Sequence, residues 1–275
     1  MSAAARDALN AALATAAPGL AAVQGLYLGG SFGRAIADEW SDLDYVAVAA
    51  PGDVAGLVDD WVALVSAQTP VVHRMQRVFP TSALVNLITA DWVRCDLLVE
   101  TEERFASRAQ DRLAVVFERG PLYAALPAEN VLPPVRPEAL TAAVEEFLRV
   151  LGLSHLAVHR DDPFTAQWGV ALLRDQVRVF VLALEPAAGL SGALTLSREL
   201  PEARMALLRD LPVGGPDLAA ALDAQQELTR RFLPMARAEC AAHDARWPAA
   251  FVSATAQALR GVMPDAFCDW LAQQA

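Results

Sequence analysis

Along the first half of the chain, short apolar runs alternate with amphipathic stretches; along the second, a helical period takes over. Residues 3–16 read as a helix that ends at Ala17-Pro18-Gly19. Val23 to Leu28 is a short apolar run stopping at Gly29-Gly30, which predicts a strand and a turn. Phe32 to Trp40 predicts a short helix and loop, and Leu43 to Ala49 a second strand. Asp53 to Gln68 is amphipathic, with Val54, Leu57, Trp61 and Leu64-Val65 on one side. Val71 to Phe79, Ala83 to Thr89 and Val93 to Glu100 predict three further strands, and Leu113 to Phe117 adds another.

The pattern changes after the proline-rich stretch Leu132-Pro133-Pro134-Val135-Arg136-Pro137. Beyond it, helices are predicted over Glu138 to Leu153, Ala166 to Leu184, Glu202 to Leu211, Asp217 to His243 and Trp247 to Leu259. Pro234 removes a donor from the fourth and is predicted to kink or split it. The reading is an α+β chain of two domains, residues 1–132 and 138–275, the second a helical bundle.

Composition narrows the partners. All 22 strongly basic residues are Arg, so a phosphate clamp must be built from Arg, backbone N–H groups or metal. The formal net charge of −11 argues against extended nucleic acid, which needs many cationic contacts, and suits a cationic small substrate. Three cysteines with no CxxC spacing give neither a disulfide framework nor a zinc site and suit a reducing cytoplasm. The N-terminus lacks the long apolar stretch of a signal peptide, and Val179 to Leu184 is too short to span a bilayer. The expectation is a cytoplasmic protein without a membrane partner, monomeric or homodimeric.

The chemistry concentrates in Leu28-Gly29-Gly30-Ser31-Phe32-Gly33-Arg34 and Trp40-Ser41-Asp42-Leu43-Asp44-Tyr45. Side chains two apart on a strand share a face, so Asp42 and Asp44 point together while Leu43 turns to the core. Two carboxylates that close resist joint ionisation unless a cation sits between them, and magnesium, a hard cation, suits them. The glycines let backbone N–H groups approach an anion, Ser31 Oγ is placed to bond a phosphate, and Arg34 to pair with phosphate oxygens. Asp96, flanked by apolar residues on a strand read as central, is costly there unless paired or metal-bound. It is a candidate metal ligand, or the base for an acceptor hydroxyl.

Gly30-Ser31, an eleven-position step to Asp42-Leu43-Asp44, and then Asp96 resemble the signature of the polymerase β nucleotidyltransferase superfamily. Gly-Ser-Phe-Gly-Arg followed by Ser-Asp-Leu-Asp resembles its small bacterial branch, which includes aminoglycoside and lincosamide nucleotidyltransferases. The motif-bearing match covers roughly the first hundred residues. The resemblance implies a polymerase β-like catalytic domain with a mixed sheet, two magnesium ions, and in-line attack on the α-phosphate of an NTP, with ATP the expected donor. Asp42, Asp44 and Asp96 would be catalytic and hold the metal; Gly30, Ser31 and Arg34 would hold the triphosphate. A small-molecule acceptor such as an aminoglycoside would lie against the helical bundle. Two alternatives stand beside it: an antitoxin-type enzyme that nucleotidylates a protein, and a non-catalytic NTP-binding module.

Other residues read more plainly. Glu100 shares the face of Asp96 and is a second candidate base, although a solvated strand end explains it better. Glu145 and Glu146 fit an exposed helix face better than a base reaching across a cleft. Arg174, Asp175 and Arg178 fit a phosphate or acceptor contact and an internal ion pair equally. His155 and His159 lack a third ligand. The six tryptophans, Trp40, Trp168 and Trp247 among them, read as core or domain-interface residues, with Trp40 the one placed to touch a nucleotide. Cys95 reads as a buried strand residue.

Overall fold

A computed structural model describes residues 2–186 and 196–275, which divide into two compact units, residues 1–131 and 132–275. The first unit opens with helix α1 (Ala3–Ala16), capped by Ser2, whose side chain accepts from the Ala5 N–H. Strand β1 (Gly25–Leu28) runs into a single helical turn, α2 (Gly30–Gly33). Strand β2 (Leu43–Val48), helix α3 (Val54–Gln68) and strands β3 (Val71–Phe79), β4 (Ser82–Thr89) and β5 (Arg94–Glu100) follow. The turn α4 (Glu102–Phe105) and strand β6 (Ala114–Glu118) complete it.

The six strands form one mixed sheet in the order β3-β4-β5-β2-β1-β6. Only β2 and β5 are parallel; the other neighbours are antiparallel. Alternation along the strands sorts the two faces. Leu43, Tyr45 and Ala47 of β2 and Cys95, Leu97 and Val99 of β5 are buried with Leu9 and Leu13 of α1 and Leu57, Trp61 and Val65 of α3. On the opposite face Val46 and Val48 pack with Tyr27, Phe105 and Leu113. Asp44 and Asp96 lie on that second face, half-buried, near the N-terminal ends of the parallel pair.

The second unit is helical among the described residues: α5 (Pro137–Gly152), α6 (Ser154–His159), α7 (Pro163–Leu184), α8 (Leu196–Glu199), α9 (Glu202–Arg209), α10 (Leu218–Ala242), α11 (Ala249–Ala258) and α12 (Asp265–Ala272). Phe147 and Phe180 pack against Phe232 at centroid distances of 4.5 and 5.3 Å, tying α5, α7 and α10 together. Helix α10 runs unbroken through Pro234, so of the expected kink or split the split does not occur. Phe232 and Leu233 before the proline and Ala236 and Cys240 after it are all buried in one core, and that packing offsets the missing hydrogen bond. Among the described residues no helix is long and apolar enough to cross a membrane.

Candidate active site

The site is built where β1 ends and β2 and β5 begin. Leu43 pairs with Cys95 and Asp44 with Asp96 across the parallel ladder, so two carboxylates stand on neighbouring strands. That spacing is about 4.8 Å between strand axes. Asp42 precedes β2 and, two residues before Asp44, lies close enough to raise the proton affinity of both other carboxyls.

The glycines of the turn have a geometric reason. Gly30 has φ +52°, and a methyl group added there would overlap the Asp44 carboxylate oxygen Oδ2. The carboxylate of Asp44 therefore lies directly on bare backbone. The Gly29 N–H donates to the Asp44 carbonyl at 2.7 Å, which joins the turn to β2 along the main chain as well. Gly33 is as confined: a Cβ there would run into the Arg112 carbonyl oxygen. The expected short helix is one turn long and starts before Phe32, at Gly30, and the expected loop follows it. Residues 34–41 form a loop because Asp38 and Ser41 bind one another: the Asp38 N–H donates to Ser41 Oγ at 2.9 Å, and that hydroxyl donates to Asp38 Oδ1 at 2.9 Å.

The electrostatics follow from burial and crowding. Asp44 is pushed up to about 6, first by burial and then by the charges of Asp42 and Asp96, with Arg94 acting against them. Asp96 is also raised by burial, opposed mainly by Asn86, whose Nδ2 donates to Asp96 Oδ2 at 2.7 Å. Arg94 Nη2 pairs with Asp42 Oδ2 at 3.0 Å. Burial pushes the Cys95 thiol up, which leaves it inert in the core.

Among the described residues no group of three or more His, Cys, Asp or Glu is drawn together as a ready metal cage. Like charge and the two polar partners account for this: Arg94 draws on Asp42, Asn86 holds Asp96, and Asp44 rests on Gly30. The donor set nevertheless fits a hard divalent cation. It offers carboxylate oxygen from three residues, two of them, Asp44 and Asp96, raised in proton affinity first by burial and then by like-charged neighbours.

The other residues singled out in the sequence are engaged elsewhere. Arg34 Nε donates to the Gly30 carbonyl at 3.3 Å, so it folds back over the turn. Glu100 is not a solvated strand end: it is 5% exposed and paired with Arg108 at 2.6 Å and Arg104 at 3.9 Å. The helix and loop following β5 bring those arginines over it. Glu145 pairs with Arg246 and Glu146 with Arg149, each at 2.6 Å. Arg174 donates to the Leu211 and Pro212 carbonyls, holding the chain beyond α9, while Asp175 pairs with Arg178 at 2.8 Å. His155 Nδ1 lies 2.7 Å from the Gly152 carbonyl, an ordinary helix-end contact. Trp40, Trp92 and Trp168 are exposed, contrary to the core reading, while Trp61 is fully buried. Trp40 belongs to the loop that precedes Asp42, and nothing in the first core reaches over it.

Three residues of the site escaped the sequence reading. Arg94 stands two positions before Asp96 and so on its face, a signal that was present. Asn86 joins only through the β4/β5 pairing, and Arg6 only through the docking of α1.

No family model and no curated protein matches the chain. Among solved structures it is similar to an aminoglycoside 6-adenyltransferase from Bacillus subtilis, at 13% identity and a TM-score of 0.38 over 94% of this chain and 97% of that one. A nucleotidyltransferase-like protein from Exiguobacterium sibiricum matches at 11% identity and 0.36, over 86% and 78%. Terminal uridylyl transferase 4 from Trypanosoma brucei, with bound CTP, matches at 14% and 0.28, over 85% and 66%.

Proposed function

We propose that this chain is a magnesium-dependent nucleotidyltransferase that moves a nucleoside monophosphate from an NTP to a hydroxyl of a small-molecule acceptor. The observation that carries the reading is the triad Asp42, Asp44 and Asp96 at the N-terminal ends of two parallel strands, with Asp44 seated on Gly30. Three crowded carboxylates beside a bare backbone turn are poorly suited to a structural role, because their mutual repulsion works against folding.

Asp42 and Asp44 would hold magnesium, with Asp96 completing the set. When bound, magnesium supplies the positive charge that offsets the triphosphate and the charge developing in transfer. Gly30 and Ser31 present an N–H and a hydroxyl to the phosphates. Arg34, released from the Gly30 carbonyl, adds a bidentate cation. Asp96, raised in proton affinity first by burial, would accept the proton of the acceptor hydroxyl. The acceptor oxygen forms a bond to the α-phosphorus, the bond to the bridging oxygen breaks, and pyrophosphate leaves. Glu100, already neutralised by Arg108, and Glu145, paired with Arg246, are not needed as bases.

The net charge of −11 favours a cationic acceptor of the aminoglycoside kind and ATP is the donor to try first. The test is pyrophosphate release with each of the four NTPs and magnesium against pooled aminoglycosides and lincosamides. Acceptor-dependent release, absent in Asp44→Asn, is the expected result. Release that persists in that variant would overturn the assignment of roles.

A further inference from the structure

Arg6 is 5% exposed, although it belongs to the first turns of an otherwise ordinary N-terminal helix. Burying a guanidinium is costly unless its donors are met, and here they are. Nη1 donates to the Asp38 carbonyl at 2.5 Å and to the Ser41 carbonyl at 3.0 Å. Nε and Nη2 face Asp7 at 2.9 and 2.8 Å. The flat face of the group lies 5.1 Å from the centre of the Phe32 ring.

These contacts span both halves of the site. Phe32 belongs to the turn that begins at Gly30 and Ser31, and Ser41 immediately precedes Asp42. Fixing the Ser41 carbonyl fixes the peptide plane that leads into Asp42, because that plane is rigid. The loop between them is closed on itself by the Asp38–Ser41 hydrogen bonds, so the anchor acts on a unit. We propose that Arg6 is a positioning residue, which sets the glycine-serine turn and the Asp42 carboxylate in one frame and so holds the cation site in register. This rests on the function proposed above, but the clamp itself is testable without it.

Arg119 provides a matched control. It also holds main-chain carbonyls, those of Val23 at 2.8 Å and Pro18 at 2.7 Å, but on a segment before β1 and not on the loop into Asp42. Arg6→Met, Arg6→Lys and Arg119→Met are compared with wild type in two measurements. The first is titration with Mn2+ alone, free ion being read by electron paramagnetic resonance. The second is amide hydrogen exchange of the metal-free proteins.

Arg6→Met is expected to weaken Mn2+ binding by about tenfold or more, the usual effect of losing a group that orients metal ligands. Exchange should rise over residues 38–42 in the same variant. Arg6→Lys should recover part of both, since an ammonium reaches the same carbonyls, and Arg119→Met should leave Mn2+ affinity within about twofold. Equal loss of affinity in Arg6→Met and Arg119→Met would reduce Arg6 to a general stabiliser and overturn the proposal. If wild type binds no Mn2+, the proposed function falls; unchanged exchange over 38–42 in Arg6→Met would then separately overturn the clamp.

Discussion

Replacing Asp44 by Asn should stabilise the metal-free protein. The rise of its proton affinity from 3.8 to about 6 means that the ionised carboxylate is disfavoured in the folded state. At about 1.36 kcal/mol per pH unit this corresponds to roughly 3 kcal/mol. Water still reaches the partly exposed group, so ~1–2 kcal/mol is the usable figure. The sign follows from proton counting. Below about pH 4 both folded and unfolded states hold the proton and no penalty exists. Between about 4 and 6 the folded state keeps a proton that the unfolded state releases, so stability falls as pH rises; above about 6 the full penalty applies. Asn carries no charge and escapes it. Calorimetric unfolding in EDTA at pH 8 should place the Asp44→Asn transition about 3–8 °C above wild type, with the gap closing at pH 4. Adding magnesium should raise wild type and leave the variant unmoved. A variant less stable than wild type in EDTA at pH 8 would make Asp44 a stabilising group, contrary to its raised proton affinity.

Three further outcomes follow from the same geometry. Gly30→Ala forces a left-handed residue and a methyl into the Asp44 carboxylate, so a loss of about 1–3 kcal/mol and of magnesium binding is expected by thermal unfolding and metal titration. Arg94→Met removes the cation that counters the crowding, so the Asp44 midpoint should rise above about 6 in carboxyl NMR; a fall would contradict the account. Glu100→Gln leaves partly buried Arg108 without its buried anion, so denaturant unfolding should show a loss of roughly 1–3 kcal/mol while Mn2+ affinity stays unchanged; lost affinity would place Glu100 in the site.

Much of the site was legible because strand geometry is a strict rule. The two-residue step from Asp42 to Asp44 put both on one face, and Leu43 between them is fully buried as that rule requires. Asp96 was found for the same reason, its flanking residues Cys95 and Leu97 being core. Glu100 was misread because its neutralising arginines, Arg104 and Arg108, lie beyond the strand and reach it only after α4 turns back. Arg6 was invisible for a related reason: a charged residue early in a helix looks solvated until the helix docks on a loop 32 residues away. Pro234 shows the limit of local propensity, since packing on both sides of a helix outweighs one missing donor. The exposed tryptophans make the same point in reverse, because apolar character alone does not determine which side chains the core has room for.

The most direct test of the central claim is calorimetric titration of ATP, GTP, CTP and UTP into the protein, with magnesium and with EDTA. Saturable binding of at least one NTP that requires magnesium and disappears in Asp44→Asn is the expected result. Binding that is equally strong in EDTA, or that survives in Asp44→Asn, would contradict it.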